Sequence, residues 1–221
     1  WQRRQELSLP PFYLLGDPDF VRRRAEQIGS HLAIKTVEPA GAAAAFKDAL
    51  PMVDIGVKVT AKSGQPDASS APAALAAINR AVADVSAGAA AAVVTNPVAK
   101  NILYRAGFTD PGHTEYLAKL VEDATGRRPL PVMLLWSPDL AVVPVTIHLP
   151  LKDVFATLTT DLIVETCRVV AHDMRTRFGI ARPRLAVAGL NPHAGEQGTL
   201  GTEDLSVVRP AVERLIADGI D

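Results

Sequence analysis

Short apolar runs alternate along the chain with longer stretches in which apolar positions recur every three or four residues. "FYLL" (12–15), "IKTV" (34–37), "AAAAVV" (89–94) and "RLAVAGL" (184–190) have strand length, and "MVDIGVKV" (52–59) reads as extended. Asp17 suits an N-cap and Pro18 a first helical position, so a helix is predicted from there to about Ile28, closed by Gly29. "AALAAINRAVADVSAG" predicts a helix ending near Gly88, and "VAKNILYRAG" another. From Thr160, the residues Ile163, Cys167, Val170 and Met174 share one helical face, with Gly179 as the stop. "AGAAAAFKDAL" is open between short helix and loop, and "SGQPDASSAP" (63–72) reads as loop. "VMLLW" and "AVVPVTIH" flank "SPDL" as a hairpin. A last helix is predicted near Thr202, kinked or split by Pro210.

This alternation predicts an α/β fold: a mostly parallel sheet with helices on both faces and at least one antiparallel pair. At 48% hydrophobic, the 221 residues suffice for a real core. The formal charge of -1 gives no reason to expect nucleic acid or an anionic membrane as partner. Cys167 stands alone, which rules out a disulfide within the chain and fits a reducing, cytoplasmic setting. No apolar run reaches the roughly 18 residues of a spanning helix, and no signal peptide opens the chain. Trp1-Gln2-Arg3-Arg4 reads as the middle of a sequence, and "ADGID" as a stop just after a helix.

In open α/β sheets, ligands collect at the carboxyl ends of strands. Four polar clusters are expected there. In "VVTNPVAK", Asn96 can cap a helix that Pro97 starts, and Lys100 adds charge at an anion-favouring helix start; the other reading is an ordinary turn with a solvated lysine. In "TDPGHTEYLAKL", Asp110, Pro111 and Gly112 make a turn, Thr114 suits an N-cap, and His113 stands just outside the helix, facing a ligand or packing on the turn. In "VTIHLPLKDV", His148 sits at a strand end, and Asp153 can orient an imidazole or cap the next helix. In "LAVAGLNPHAGEQGTLGTED", His193 follows a strand in a glycine-rich loop, with Glu196 as an acceptor for its ring and Thr202 as cap of the final helix. His148 and His193 are two imidazoles, the commonest protein metal ligands, yet too few for a closed site; a catalytic zinc wants about three protein ligands. His31 and His172 read as surface or structural residues. Neither dinucleotide nor P-loop glycine fingerprint occurs in a strand–turn–helix context.

"GHTEYLA", "IHLPLKDV", "HDMRTRFGI" and "GLNPHAGEQGTLGTED", in this order, resemble the 4-hydroxythreonine-4-phosphate dehydrogenase family of vitamin B6 (pyridoxal phosphate) biosynthesis. The likeness covers nearly the whole chain, best from residue 93 onward. It implies an isocitrate/isopropylmalate-dehydrogenase-like fold, with residues 1–221 a partial catalytic chain of two intertwined α/β subdomains. It also implies a homodimer with shared active sites, NAD (or NADP) as cofactor, and a divalent metal: zinc first, magnesium or cobalt otherwise. On that resemblance His148 and His193 map onto metal ligands and His113 and Thr114 onto substrate contacts; Lys100 and Asp153 are further candidates for proton handling or support. The family's N-terminal Gly-Asp-Pro-Ala-Gly-Ile-Gly stretch and its third metal histidine, in a Tyr-His-Asp-Gln segment, have no counterpart here. Gln197-Gly198-Thr199 departs from the glycines and histidine of the best-known members.

The implied reaction moves a hydride from a carbinol carbon of a small phosphorylated substrate to NAD, and the resulting β-keto acid loses carbon dioxide. A divalent ion lowers the pKa of a bound oxygen acid, as zinc takes water from about 15.7 to about 7. The alternatives are a dehydrogenase of a related threonate or erythronate phosphate, and a non-catalytic binding protein of the same fold.

Overall fold

A computed structural model describes residues 1–110 and 112–221. The expected Asp110-Pro111-Gly112 turn includes Pro111, which lies outside the described residues. The chain divides into two compact units, Trp1–Pro129 and Leu130–Asp221.

The first unit is built on three parallel strands. β1 (Leu14–Gly16) leads into α1 (Pro18–Gln27); β2 (Ile34–Thr36) follows; a 3-10 turn (Pro39–Gly41) and α2 (Ala42–Ala45) lead to β3 (Leu50–Asp54). The order is β1-β3-β2, with Leu14 opposite Met52 and Ile34 opposite Leu50. Leu50, Pro51, Met52 and Val53 are all buried, the continuous apolar run expected of a central parallel strand. Proline is unusual there because it lacks an N–H. Leu50 N donates to Ala33 on the β2 side, so alternation turns position 51 toward β1, one residue before that ladder starts at Leu14. α1 packs on β2 and β3, α2 on β3, and α3 (Ser70–Ser86) on β1; α4 (Lys100–Arg105) and α5 (His113–Thr125) rest on α3.

Two buried carboxylates tie these layers together. Asp17 caps α1 by accepting from Asp19 N, and also accepts from Val59 N and Lys58 Nζ, each at 3.1 Å. Burial alone would raise its pKa; the Val59 amide, the Lys58 ammonium and the Asp19 amide outweigh burial and hold it below the ordinary 3.8. Asp84 on α3 accepts from the Tyr13 hydroxyl at 2.8 Å and from Arg80 Nε at 2.7 Å. Burial, then the hydrogen bond and charge of Asp84, push the Tyr13 phenol up to about 12.

The second unit holds a hairpin, β4 (Leu135–Trp136) and β5 (Ala141–Val142), then α6 (Leu151–Thr157) and α7 (Thr160–Thr176). Ser137 to Leu140 form the hairpin loop, as the sequence predicts, although each strand spans only two residues. Thr159 caps α7 by accepting from Leu162 N at 3.1 Å. Ile163, Val164, Val208, Ala211 and Leu215 form the core, with Cys167, Val187 and Ile220 against it. The last helix is split as Pro210 requires: a π turn (Asp204–Val208) precedes α8 (Arg209–Ala217), and the proline falls in the first helical positions, where its missing N–H has no partner to lose.

Two expected strands are corrected. Residues 89–94 and 184–190 run without a ladder partner among the described residues, and Val94 is 95% exposed rather than buried. Their apolar runs satisfy the sequence pattern of a strand, but a strand exists only when a neighbour takes up its amides and carbonyls. Likewise His148 does not end a strand, since β5 stops at Val142.

Because the folded-state pKa of Asp17 is depressed, its contribution is full above the unfolded value near 3.8 and is lost as pH falls through the lower folded value. Urea denaturation over that range is therefore expected to show a shallower acid loss in Asp17→Asn than in the wild type.

Candidate active site

In the first unit, β1 and the middle of β3 border a cleft of about 390 Å³ lined by Gly16, Phe20, Met52, Ser70, Ala73 and Asn96. Its size is that of a small-ligand cleft. Asn96 belongs to the "TNPVAK" cluster; it does not cap α4, whose flanking residue is Ala99 and whose first residue is Lys100.

α5 begins two residues earlier than the spacing predicts. His113 is its first residue, Gly112 flanks it, and Thr114 lies inside the helix rather than capping it. A methyl group at Gly112 would sit 2.9 Å from Glu115 Oε2 and 3.7 Å from Lys100 Nζ, so a carboxylate and an ammonium converge over this glycine. Tyr116 fixes the helix start: its hydroxyl donates to Asn79 Oδ1 on α3 at 2.5 Å, and Phe108 meets its ring edge-on at 5.1 Å. His113 Nε2 is buried with no hydrogen-bond partner among the described residues. Such an atom costs about 1–3 kcal/mol unless something satisfies it. A polar ligand group would remove that cost.

In the second unit, His148 is exposed and takes φ +57°, a left-handed conformation uncommon outside glycine. Two residues on, Pro150 opens α6, with Asp153 exposed in its first turn. Asp153 caps nothing by its side chain.

His193 stands in a loop of unusual backbone. Ala194, Gly195, Glu196, Gln197 and Gly198 all have positive φ, from +41° to +96°. The loop is pinched shut: Leu200 N donates to Gly195 O at 3.0 Å, and a methyl group at Gly195 would lie 2.5 Å from Gly201 O. Asn191 Oδ1 accepts from His193 N at 2.9 Å, and Asn191 Nδ2 donates to Leu200 O at 3.1 Å. Asp204 accepts from Leu190 N and Asn191 N at 2.9 and 3.3 Å. Glu196 Oε1 lies 3.5 Å from His193 Nδ1, so the expected acceptor does approach the ring. Asn191 and Asp204 are the members that sequence reasoning missed; the acidic residues after Thr202 read as belonging to the following helix, and only their reach back across the loop gives them this role.

Among the described residues no three His, Cys, Asp or Glu side chains come together to hold a metal. His148 and His193 have the right donor chemistry, but the set they offer falls short of a catalytic metal centre. No helix among the described residues is long and apolar enough to cross a membrane.

Residues 8–221 match the family described as pyridoxal phosphate biosynthetic protein PdxA. A 4-hydroxythreonine-4-phosphate dehydrogenase of Bradyrhizobium diazoefficiens is 58% identical over the whole chain, which covers 66% of that relative. One from Xanthobacter autotrophicus is 53% identical, again over the whole chain and 63% of the relative. The chain thus spans just under two thirds of the length of the relatives it matches. Among solved structures, a 4-hydroxythreonine-4-phosphate dehydrogenase from Burkholderia phymatum superposes with TM-score 0.80 at 31% identity, covering 95% of this chain and 62% of that one. A terephthalate 1,2-cis-dihydrodiol dehydrogenase from Burkholderia xenovorans superposes with TM-score 0.60 at 25% identity, over 93% and 61%.

Gly195→Ala should cost about 2 kcal/mol or more, because the new methyl meets a backbone oxygen at a positive-φ position. Urea denaturation of the variant checks this; an unchanged midpoint would contradict the closed loop.

Proposed function

Since the chain belongs to the PdxA family of pyridoxal phosphate biosynthetic proteins, we propose that it is the larger part of an NAD-dependent 4-hydroxythreonine-4-phosphate dehydrogenase, built of two intertwined α/β subdomains. In the reaction, 4-phosphooxy-L-threonine is oxidised to a β-keto acid, which decarboxylates to 3-amino-2-oxopropyl phosphate. The observation that carries this reading is the 58% and 53% identity, over alignments that cover the whole chain, to relatives bearing that name. The unpartnered, buried Nε2 of His113 at a helix start supports it, because it offers a polar substrate group a ready partner.

On this reading His113 and Thr114 bind and orient the substrate, and Lys100 at the start of α4 supports them with its positive charge beside the substrate's polar groups. Asp153 supports His148 from the first turn of α6. His148 and His193 contribute two imidazoles to a divalent ion, zinc ahead of magnesium or cobalt; the third ligand has to come from outside the described residues. NADP is the alternative hydride acceptor. The whole protein is read as a cytoplasmic homodimer with shared active sites.

A second reading is oxidation of a related four-carbon phosphorylated acid, a threonate or erythronate phosphate. A binding protein without catalysis is the third.

The test assays the protein with NAD and each phosphorylated acid, following NADH, and measures bound metal alongside. His148→Ala and His193→Ala are each expected to lose metal and to lower turnover by about 100-fold or more. Normal metal content and turnover in both variants would remove the ligand assignment. Substrate binding without NADH formation would favour the binding protein.

A further inference from the structure

We propose that Asp204 is a positioning residue for His193, acting through Asn191; the assignment rests on the reading of His193 given above. Asp204 opens the π turn before α8, where an acidic side chain ordinarily serves its own helix. It does not do so here. Its Oδ1 and Oδ2 reach back to the amides of Leu190 and Asn191, and a methyl group at Gly189 would lie 3.2 Å from Oδ1. The carboxylate is therefore fitted against the backbone at the entrance of the histidine loop.

Asn191, whose amide is held in this way, governs both sides of the loop. Its Oδ1 receives the His193 amide, and its Nδ2 binds the Leu200 carbonyl. The chain from Asp204 to His193 is thus two links long: carboxylate to Asn191 backbone, Asn191 side chain to His193 backbone. The segment between 193 and 200 follows a left-handed course that three side-chain-bearing residues disfavour, so the loop relaxes when its entrance is released. His193 is exposed, and among the described residues only the Glu196 carboxylate reaches its ring, at 3.5 Å, the outer edge of a contact. Its direction is consequently set by backbone, and the backbone by Asp204.

The experiment compares wild type, Asp204→Ala and Asp204→Asn by amide hydrogen exchange and by steady-state turnover. In Asp204→Ala, exchange at Leu190 and Asn191 should rise on the order of tenfold or more while exchange in α7 stays unchanged. Turnover should show kcat falling about tenfold with KM held within about twofold, the split expected when a reacting group is misplaced and binding is not. Asp204→Asn keeps one acceptor oxygen and should restore most of both. Unchanged exchange at residues 190 and 191 overturns the proposal. So does an equal rise throughout α7, which would mark general loosening, or an unaltered kcat in a loosened loop. If the wild type shows no nicotinamide-dependent turnover, the proposed function fails instead, and the exchange result alone upholds or overturns the clamp.

Discussion

Left-handed backbone costs an L-residue about 1–2 kcal/mol, and Ala194, Glu196 and Gln197 each occupy it in the loop that carries His193. The three together store about 3–6 kcal/mol, comparable with what two hydrogen bonds to a charged carboxylate return. Asp204 makes two such bonds at the loop entrance. The balance between that carboxylate and the strained turn decides where the imidazole points. It also explains why glycine must occupy position 195, where the two sides of the loop touch.

The first unit uses a different device. There the candidate side chain is His113, whose ring Nε2 is buried without a partner among the described residues. His113 begins α5, the helix is anchored to α3 through Tyr116 and Asn79, and the ring nitrogen is left unsatisfied. Lys100 and Glu115 meet over the intervening Gly112, so charges of both signs border the same helix start. Each unit thereby carries part of the candidate site on a segment secured by bonds elsewhere.

Much of this was legible in the residues, for reasons that are local. Asp17 and Pro18 mark a helix start because capping depends on neighbours in sequence, and α1 begins as expected, at Pro18. Pro210 splits the last helix because a missing N–H acts wherever it falls. The hairpin loop at "SPDL" and the helical face of Ile163 and Val170 follow from short-range spacing. Two things were not legible. Residues 89–94 and 184–190 look like strands by composition, but pairing is a property of two segments and no single run contains it. The reach of Asp204 over thirteen and fourteen residues is hidden for the same reason: an acid near a helix start looks the same whether it serves the helix or the loop before it. The family resemblance, read from the motifs around His113, His148 and His193, agrees with the match over residues 8–221.

The chain's two tryptophans fall one to each unit. Trp1 is half-buried, its indole N–H donating to Phe46 O at 2.7 Å and its ring lying under the Arg4 guanidinium at 3.7 Å. Trp136 sits on the hairpin with 64% of its surface in water. The molecule thus carries a separate fluorescent reporter in each half, one emitting from a sheltered setting and one open to collisional quenchers. Unfolding of the first half moves the bluer emission, while anything that settles on the hairpin shields the redder one.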